Sequence, residues 1–150
     1  MIVEQIKFNN RTFYAKFECI DKPLTPTLFK KHLNHEATIA LPLTKTDKTN
    51  YLLIEYKGEE HQRFYYLCKQ LFQTIQIKNY HIYRGREIEK LQVFIEVDNL
   101  SIAEAEEKLK EISASLEKRI VKNWKCLPSA LFPYSYNIVT LPYTKANYPI

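Results

Sequence analysis

The chain has 150 residues, of which 45% are hydrophobic and 26% are charged, and its formal net charge at pH 7 is +5. This length suffices for one well-packed core and is short for two, so we expect a single domain over residues 1–150. Two glycines and seven prolines exclude a low-complexity linker. No apolar run approaches the roughly 20 residues that cross a bilayer, and no secretory signal opens the chain, so we expect no membrane contact.

The cysteine usage indicates the compartment. Cys19, Cys68 and Cys126 are far apart and odd in number, which argues against a disulfide framework and is typical of a reducing environment. The sequence therefore predicts a cytoplasmic protein. Cys68 lies on the apolar face of a predicted helix, where it acts as a small hydrophobic residue.

Residues 1–45 are predicted to form an extension before the main core. Apolar and polar residues alternate over residues 1–20 about Asn9 and Asn10. Because asparagine tolerates the positive φ of a tight turn, this pattern predicts a β-hairpin.

A short helix and a short strand follow the hairpin. Thr25 before Pro26 is a helix-start pattern, and it indicates a helix that continues to about His32. Residues 38–43 form a brief predicted strand, which Pro42 confines to a sheet edge or a strand end.

Residues 50–143 have the hydrophobic rhythm of strand, helix, strand, strand, helix, strand. This is the order of the ferredoxin-like or RRM-like βαββαβ unit, so the predicted class is α+β. The predicted strands are 50–57, 79–84, 91–97 and 137–141, and the predicted helices, on one face of the sheet, are 60–76 and 101–121. Residues 124–136 are predicted to be an irregular connection.

The predicted helix over residues 101–121 has the clearest start signal. Ser101 and Glu104 have the spacing of a capping box, and apolar residues follow at steps of three and four. One further pattern is an internal echo, since residues 37–45 resemble residues 137–145. A period near a hundred residues in so short a chain excludes a solenoid repeat, and the echo indicates two similar strand ends.

The closing segment carries a resemblance. Residues 124–133 end on Phe-Pro, and residues 137–142 are Asn-Ile-Val-Thr-Leu-Pro. These motifs, together with the element order over residues 50–143, resemble the archaeo-eukaryotic primase-polymerase superfamily. The resemblance implies an RRM-like fold and a site that holds nucleotides or a template strand.

The chemistry that the resemblance implies is incomplete. Where that superfamily places an acidic pair to hold divalent metals, this chain has Glu55, Tyr56 and Lys57, and a cation there repels a metal. The turn over residues 84–91 lacks the Ser-x-His motif, and residues 122–132 lack the third carboxylate. The resemblance therefore implies a degenerate, non-catalytic domain without a metal or other cofactor.

Five residues are predicted to bind a nucleotide or nucleic acid. By the resemblance, four basic residues lie near the place where a catalytic relative holds a triphosphate, and the asparagine opens the closing motif: Lys57, Arg84, Arg86, Lys90 and Asn137. Basic side chains suit contact with phosphate oxygens. The alternative is an ordinary solvated turn in which Glu87 and Glu89 neutralise these cations. A second basic group surrounds one predicted helix end: Lys118, Arg119, Lys122 and Lys125.

Two other side-chain patterns each allow a functional and a structural interpretation. Aromatic residues near strands could stack on bases or belong to the core: Tyr80, Tyr83, Phe94, Tyr134, Tyr136 and Tyr143. His32 and His35 have the spacing of metal ligands, but no Cys-x-x-Cys pair accompanies them, so a surface helix end is predicted.

Three function classes follow. The first is binding of a nucleotide triphosphate or single-stranded nucleic acid without turnover. The second is a protein-protein interaction module on a ferredoxin-like scaffold, whose basic surface serves solubility. The third is an enzyme with an atypical metal site.

Overall fold

The computed structural model describes residues 2–8, 11–20, 23–132 and 137–148, the first two ranges by their backbone. These residues form a mixed structure of three helices and antiparallel sheets, which confirms the predicted α+β class. The helices are α1 Pro26–Leu33, α2 His61–Thr74 and α3 Ile102–Glu117. The strands are β1 Ile2–Phe8, β2 Arg11–Ile20, β3 Thr38–Pro42, β4 Thr44–Lys45, β5 Lys48–Lys57, β6 Tyr80–Arg84, β7 Lys90–Ser101, β8 Trp124–Leu127, β9 Ile138–Thr140 and β10 Thr144–Lys145.

The first sheet has the strand order β2-β1-β3-β9. β1 and β2 pair antiparallel as predicted, whereas the predicted turn at Asn9 and Asn10 lies outside the described residues. The helix α1 begins as predicted, because the Thr25 side chain accepts a hydrogen bond from the Leu28 amide at 3.2 Å. Pro42 ends β3, which agrees with its lack of an amide donor.

The second sheet has the strand order β10-β6-β7-β5-β4, and β8 also pairs with β5. Each pairing is antiparallel. The helices α2 and α3 pack on one face, as predicted, because alternate residues of β5 and β7 are buried with them in one cluster. The capping box at Ser101 and Glu104 is formed. The helix ends at Glu117, four residues before the predicted end.

The predicted closing strand of this sheet was wrong. Residues 137–141 do not join β5, since β9 pairs with β3 in the first sheet. The place beside β5 belongs to β8, within the stretch predicted to be irregular. Trp124 fixes this strand because its side chain is buried and its Nε1 donates to Ser113 Oγ on α3 at 2.9 Å.

The internal echo has a structural explanation. β3 and β9 pair antiparallel, and Ala40 lies opposite Thr140. These two residues occupy equivalent positions in the two similar segments, 37–45 and 137–145. The short strands that follow them, β4 and β10, join opposite ends of the second sheet's strand order. The two similar segments are thus arranged about a local twofold axis.

The first sheet packs on the face of the second sheet that is opposite α2 and α3. A second apolar cluster joins the two sheets, and its members are Leu43, Leu53, Leu127 and Val139, with Phe94 packed against it. The Gln92 side chain adds a polar link, because its Nε2 donates to the Thr140 carbonyl at 2.9 Å. One end of this face remains open.

None of the described helices is long and apolar enough to span a membrane.

Candidate functional site

A cleft of about 530 Å³ opens at the end of the second sheet where β5 ends and β7 and β8 begin. Lys57 lies opposite Lys90 in the β5–β7 pairing, and Tyr56 lies opposite Trp124 in the β5–β8 pairing. The lining is dominated by basic side chains and comprises Glu55, Tyr56, Lys57, Lys90, Lys122, Asn123, Trp124 and Lys125.

Strand alternation explains why charged side chains meet in this cleft. Tyr56 and Trp124 belong to the core under α2 and α3. Glu55 and Lys57 therefore project from the opposite face of β5, and Lys125 does so from β8. Lys90 reaches the same place, since it precedes Leu91 of the buried core. The register of three strands thus gathers the charges at one edge.

Glu55 is a buried carboxylate among these lysines. Its side chain is only 7% exposed, and its Oε2 lies 3.4 Å from Lys125 Nζ and 3.9 Å from Lys90 Nζ. Its Oε1 accepts a hydrogen bond from Gln92 Nε2 at 3.4 Å. A buried charge needs partners of this kind, since an isolated carboxylate in the interior would be costly.

The outer lysines have looser partners. Lys57 Nζ lies 2.9 Å from Glu87 Oε2, and this contact lowers the pKa of Glu87. Lys122 Nζ lies 3.9 Å from Glu117 Oε1. The side chains of Lys57, Lys122 and Lys125 are 62%, 51% and 66% exposed, so their ammonium groups are accessible to a ligand from solvent.

The aromatic residues of the lining have their rings in the core under α2 and α3 and offer no open ring face to the cleft. Tyr56 is fully buried and stacks on Phe64 with ring centroids 4.4 Å apart. Burial also raises the pKa of the Tyr56 hydroxyl. Trp124 is 6% exposed and is held by Ser113. The cleft therefore presents positive charge and hydrogen-bond donors to a ligand.

The structure brings together two of the five predicted site residues, Lys57 and Lys90. Arg84 instead places its guanidinium 4.6 Å from the centre of the Tyr148 ring. It shares the face of Ile82, which belongs to the core under the helices, and alternation therefore directs Arg84 away from the cleft. Arg86 donates to Thr38 Oγ1 at 3.3 Å and thus reaches the first sheet.

Asn137 holds a loop. It is 1% exposed, and its Oδ1 accepts from the Ser129 amide at 2.9 Å. Its Nδ2 donates to the Ser129 carbonyl at 3.0 Å and to the Phe132 carbonyl at 3.3 Å. The side-chain amide of Asn137 is therefore occupied by hydrogen bonds to the loop after β8 and does not line the cleft.

The sequence interpretation missed Lys122, Asn123 and Lys125 as members of the same site. The signal was present, because Lys122 and Lys125 belong to the second basic group. That group was assigned to a helix end, and recognising β8 as a strand was needed to direct Lys125 towards Glu55.

The aromatic residues divide between the core and the open face. Tyr80 packs against Phe72 in the core at 4.8 Å. A line of rings crosses the face that carries the cleft: Tyr51 contacts Phe94 edge to face at 6.4 Å, Phe94 contacts Tyr83 at 5.7 Å, and Tyr83 stacks on His81 at 6.2 Å. Tyr143 stacks on His32 and His35, while Tyr134 and Tyr136 lie outside the described residues.

His32 was predicted to lie at a surface helix end, and this was wrong. The ring is fully buried, its Nδ1 accepts from the Ile39 amide at 3.0 Å, and its Nε2 lies 2.8 Å from the Leu141 carbonyl. An amide can only donate, so Nδ1 is unprotonated and Nε2 carries the proton. Burial lowers the pKa of this ring. Among the described residues, no three His, Cys, Asp or Glu side chains form a group that could hold a metal.

Comparison with known proteins bears on the first third of the chain. A family model described as a domain of unknown function (DUF1882) matches residues 1–50. These residues include β1 to β4 and the beginning of β5, and they end before Glu55. No curated protein matches the chain. The residues that line the cleft all follow the matched segment.

Proposed function

We propose that this chain is a non-catalytic domain that binds single-stranded nucleic acid, or a nucleotide triphosphate, through its phosphates. The observation that carries the proposal is the convergence of Lys57, Lys90, Lys122 and Lys125 on one cleft. Lysine binds phosphate as a point charge on a flexible stem, so several lysines around an open space suit a polyanion. Four lysines and one glutamate give the lining a net charge of +3.

The proposal includes a ferredoxin-like assignment for the core and membership of the primase-polymerase superfamily. The strand order β6-β7-β5-β8, with α2 and α3 as the crossing helices on one face, supports the fold assignment. The superfamily assignment depends on the closing motif, although β9 pairs outside this sheet. Cys68 and Cys126 are unpaired thiols, which supports the proposed cytoplasmic location.

A single strand suits the cleft as a polyanion, because it carries one phosphate for each nucleotide and four lysines line the cleft. Tyr83 pairs in register with Gln92, which pairs in register with Glu55. Two strand spacings therefore separate Tyr83 from Glu55, a distance of about 10 Å across the sheet. Gln92 lies between these two residues, is 1% exposed and donates to the Thr140 carbonyl of the first sheet. The rings are therefore separated from the cleft by a covered stretch, and the proposal depends on the phosphate contacts alone.

Binding without turnover follows from the state of Glu55. This is the carboxylate that the resemblance places among the metal ligands. Lys125 and Lys90 lie 3.4 and 3.9 Å from its Oε2, and their positive charges oppose a divalent ion at the same oxygen.

The experiment measures binding of a fluorescein-labelled oligothymidylate of about 12 nucleotides by anisotropy, with ATP as the competing mononucleotide. The double variant Lys57→Ala/Lys125→Ala leaves Lys90 beside Glu55. It should weaken binding on the order of tenfold, because two accessible charge contacts are lost. Its salt dependence should become shallower by roughly 0.7 for each lost phosphate contact.

The matched control is Lys108→Ala/Lys110→Ala, which removes the same charge from exposed positions of α3 on the opposite face. Equal weakening by both double variants would show a general charge effect and would reject the cleft as the site. Stronger binding of ATP than of the oligothymidylate would favour a nucleotide over a strand.

A second candidate function is a protein-interaction module, favoured by apolar side chains near and on α1. Leu24, Phe29 and Leu33 are 40%, 38% and 39% exposed, and such groups on one short element are typical of contact surfaces. If the chain binds neither the oligothymidylate nor ATP at low salt, the protein-interaction function becomes the better supported of the two.

A further inference from the structure

Glu55 is the acidic member of the cleft lining, and its position is fixed. It lies within β5, which pairs with β7 on one side and with β8 on the other. Gln92 donates to its carboxylate from the neighbouring strand. With 7% exposure and a central strand beneath it, this carboxylate cannot swing out into solvent. The cleft therefore retains one negative charge among its lysines.

The lysines, in contrast, are not locked onto Glu55. Their separations from Oε2, 3.4 Å for Lys125 and 3.9 Å for Lys90, exceed the roughly 2.7 to 2.9 Å of a tight charged hydrogen bond. The Lys125 side chain is 66% exposed and has room to turn towards a ligand. A phosphate that enters the cleft meets two lysines that are not in tight contact with Glu55, and one carboxylate that is fixed in place.

We infer that Glu55 competes with the ligand's phosphate for Lys90 and Lys125. This competition makes the cleft select polyanions over small anions. The inference rests on the proposed function of this cleft. A small anion that contacts only these two lysines gains little, because the carboxylate repels it at close range. A polyanion also reaches Lys57 and Lys122, whose ammonium groups lie away from Glu55, and it retains net attraction.

A different role for Glu55 makes the opposite prediction. If the carboxylate holds a divalent metal that bridges to the phosphate, binding should require Mg²⁺ and should weaken when the carboxylate is removed. If Glu55 competes with the phosphate, binding should proceed in EDTA and should strengthen when the carboxylate is removed. The two roles therefore differ in sign.

The experiment compares the parent chain with Glu55→Gln, which keeps the side-chain shape and an acceptor for Gln92. The probes are the labelled oligothymidylate, inorganic triphosphate and inorganic phosphate, each in Mg²⁺ and in EDTA. Glu55→Gln should bind the oligothymidylate on the order of fivefold more tightly, the factor for one unit charge about 4 Å away in water. Inorganic phosphate should gain more than the oligothymidylate, so the parent's preference for the polyanion should shrink.

The matched control is Glu87→Gln, which removes the same charge beside Lys57 at the rim. Both members of that pair are more than half exposed, so solvent screens them and the gain should be smaller. Glu55→Asp is a second variant that retains the charge while drawing it back from the lysines, and it should give a partial gain. This variant carries the test if the glutamine variant does not fold.

The outcomes separate the inference from the proposed function. Tighter binding in Glu55→Gln than in Glu87→Gln, without a need for Mg²⁺, supports the inference. Binding by the parent that weakens in Glu55→Gln, or equal gains in both glutamine variants, overturns the inference and leaves phosphate binding intact. Failure of every probe to bind the parent and the Glu55 variants rejects the cleft as an anion site, and the inference with it.

Discussion

Replacing His32 with alanine should remove a large part of the stability of the first sheet. The fully buried ring joins three segments, since it lies on α1, accepts from Ile39 in β3 and donates to Leu141 after β9. His32→Ala would leave the buried Ile39 amide and the Leu141 carbonyl without this partner, at about 1 to 3 kcal/mol each. It would also remove the stack on Tyr143, whose ring centroid lies 4.3 Å away, worth about 0.5 to 1.5 kcal/mol.

These contributions add up to about 2.5 to 7.5 kcal/mol, and we expect a loss in the lower half of that range, about 3 to 5 kcal/mol, because the contact to the Leu141 carbonyl is only partly buried. Urea denaturation measures this change in the free energy of unfolding. His35→Asn is the matched control, because His35 stacks on the same Tyr143 ring but is exposed. Asparagine tolerates the φ of 60° at this position. The control should cost about 1 kcal/mol or less. A loss below about 1 kcal/mol in His32→Ala, or equal losses in both variants, would refute the role assigned to the buried ring.

The same ring gives a pH dependence with a defined sign. Burial lowers the pKa of His32 in the folded chain, so the unfolded chain binds a proton more readily. The contribution to stability is complete above the unfolded pKa, about 6.5, and is lost as the pH falls through the folded pKa. Urea denaturation of the parent from neutral to mildly acidic pH should show this loss, and His32→Ala should lack this component.

Two smaller predictions test local contacts. Ser101→Ala should lower the free energy of unfolding by about 1 kcal/mol, because the Glu104 amide loses its cap. Ser115→Ala in the last turn of α3 should have little effect in the same denaturation assay. Lys57→Ala should raise the pKa of Glu87 towards its ordinary value, since Lys57 is the main cause of the lowered pKa, and NMR titration of the carboxyl carbon measures it.

Local patterns were sufficient for the helices and the long strands. The steps of three and four residues and the capping box place α3, and Thr25 before Pro26 places the start of α1. The strand β8 has only four residues, one of them lysine. It could be recognised as a strand only from its tertiary contacts, such as the hydrogen bond from Trp124 to Ser113 of α3. The strand β9 has three residues, and its partner β3 lies about a hundred residues earlier in the chain. No local window contains the information for such a pairing.

Two of the four lysines of the candidate site were predicted from the sequence, and the other two were missed for a related reason. Lys57 and Lys90 lie at the facing ends of two strands that were predicted correctly, so their proximity follows from the pairing of β5 with β7. Arg84 follows the alternation of β6 onto the helix-covered face, and this could have been predicted from Ile82. The direction of the Lys125 side chain depends on β8, so its place in the site could not be predicted without recognising that strand.

The place of β9 beside β3 in the first sheet explains why the cleft is open. The first sheet covers the second as far as Gln92, whose side chain donates to the Thr140 carbonyl. Glu55 lies next to Gln92 in the register, and beyond it Lys57 faces Lys90. The cover therefore ends where the charged side chains begin, since lysines whose ammonium groups need solvent cannot be packed under an apolar sheet without a large cost. The position of β9 thus sets how far the cover extends towards Glu55, through the contact of Thr140 with Gln92. A change in that strand should alter the phosphate binding that we propose without replacing a lining residue.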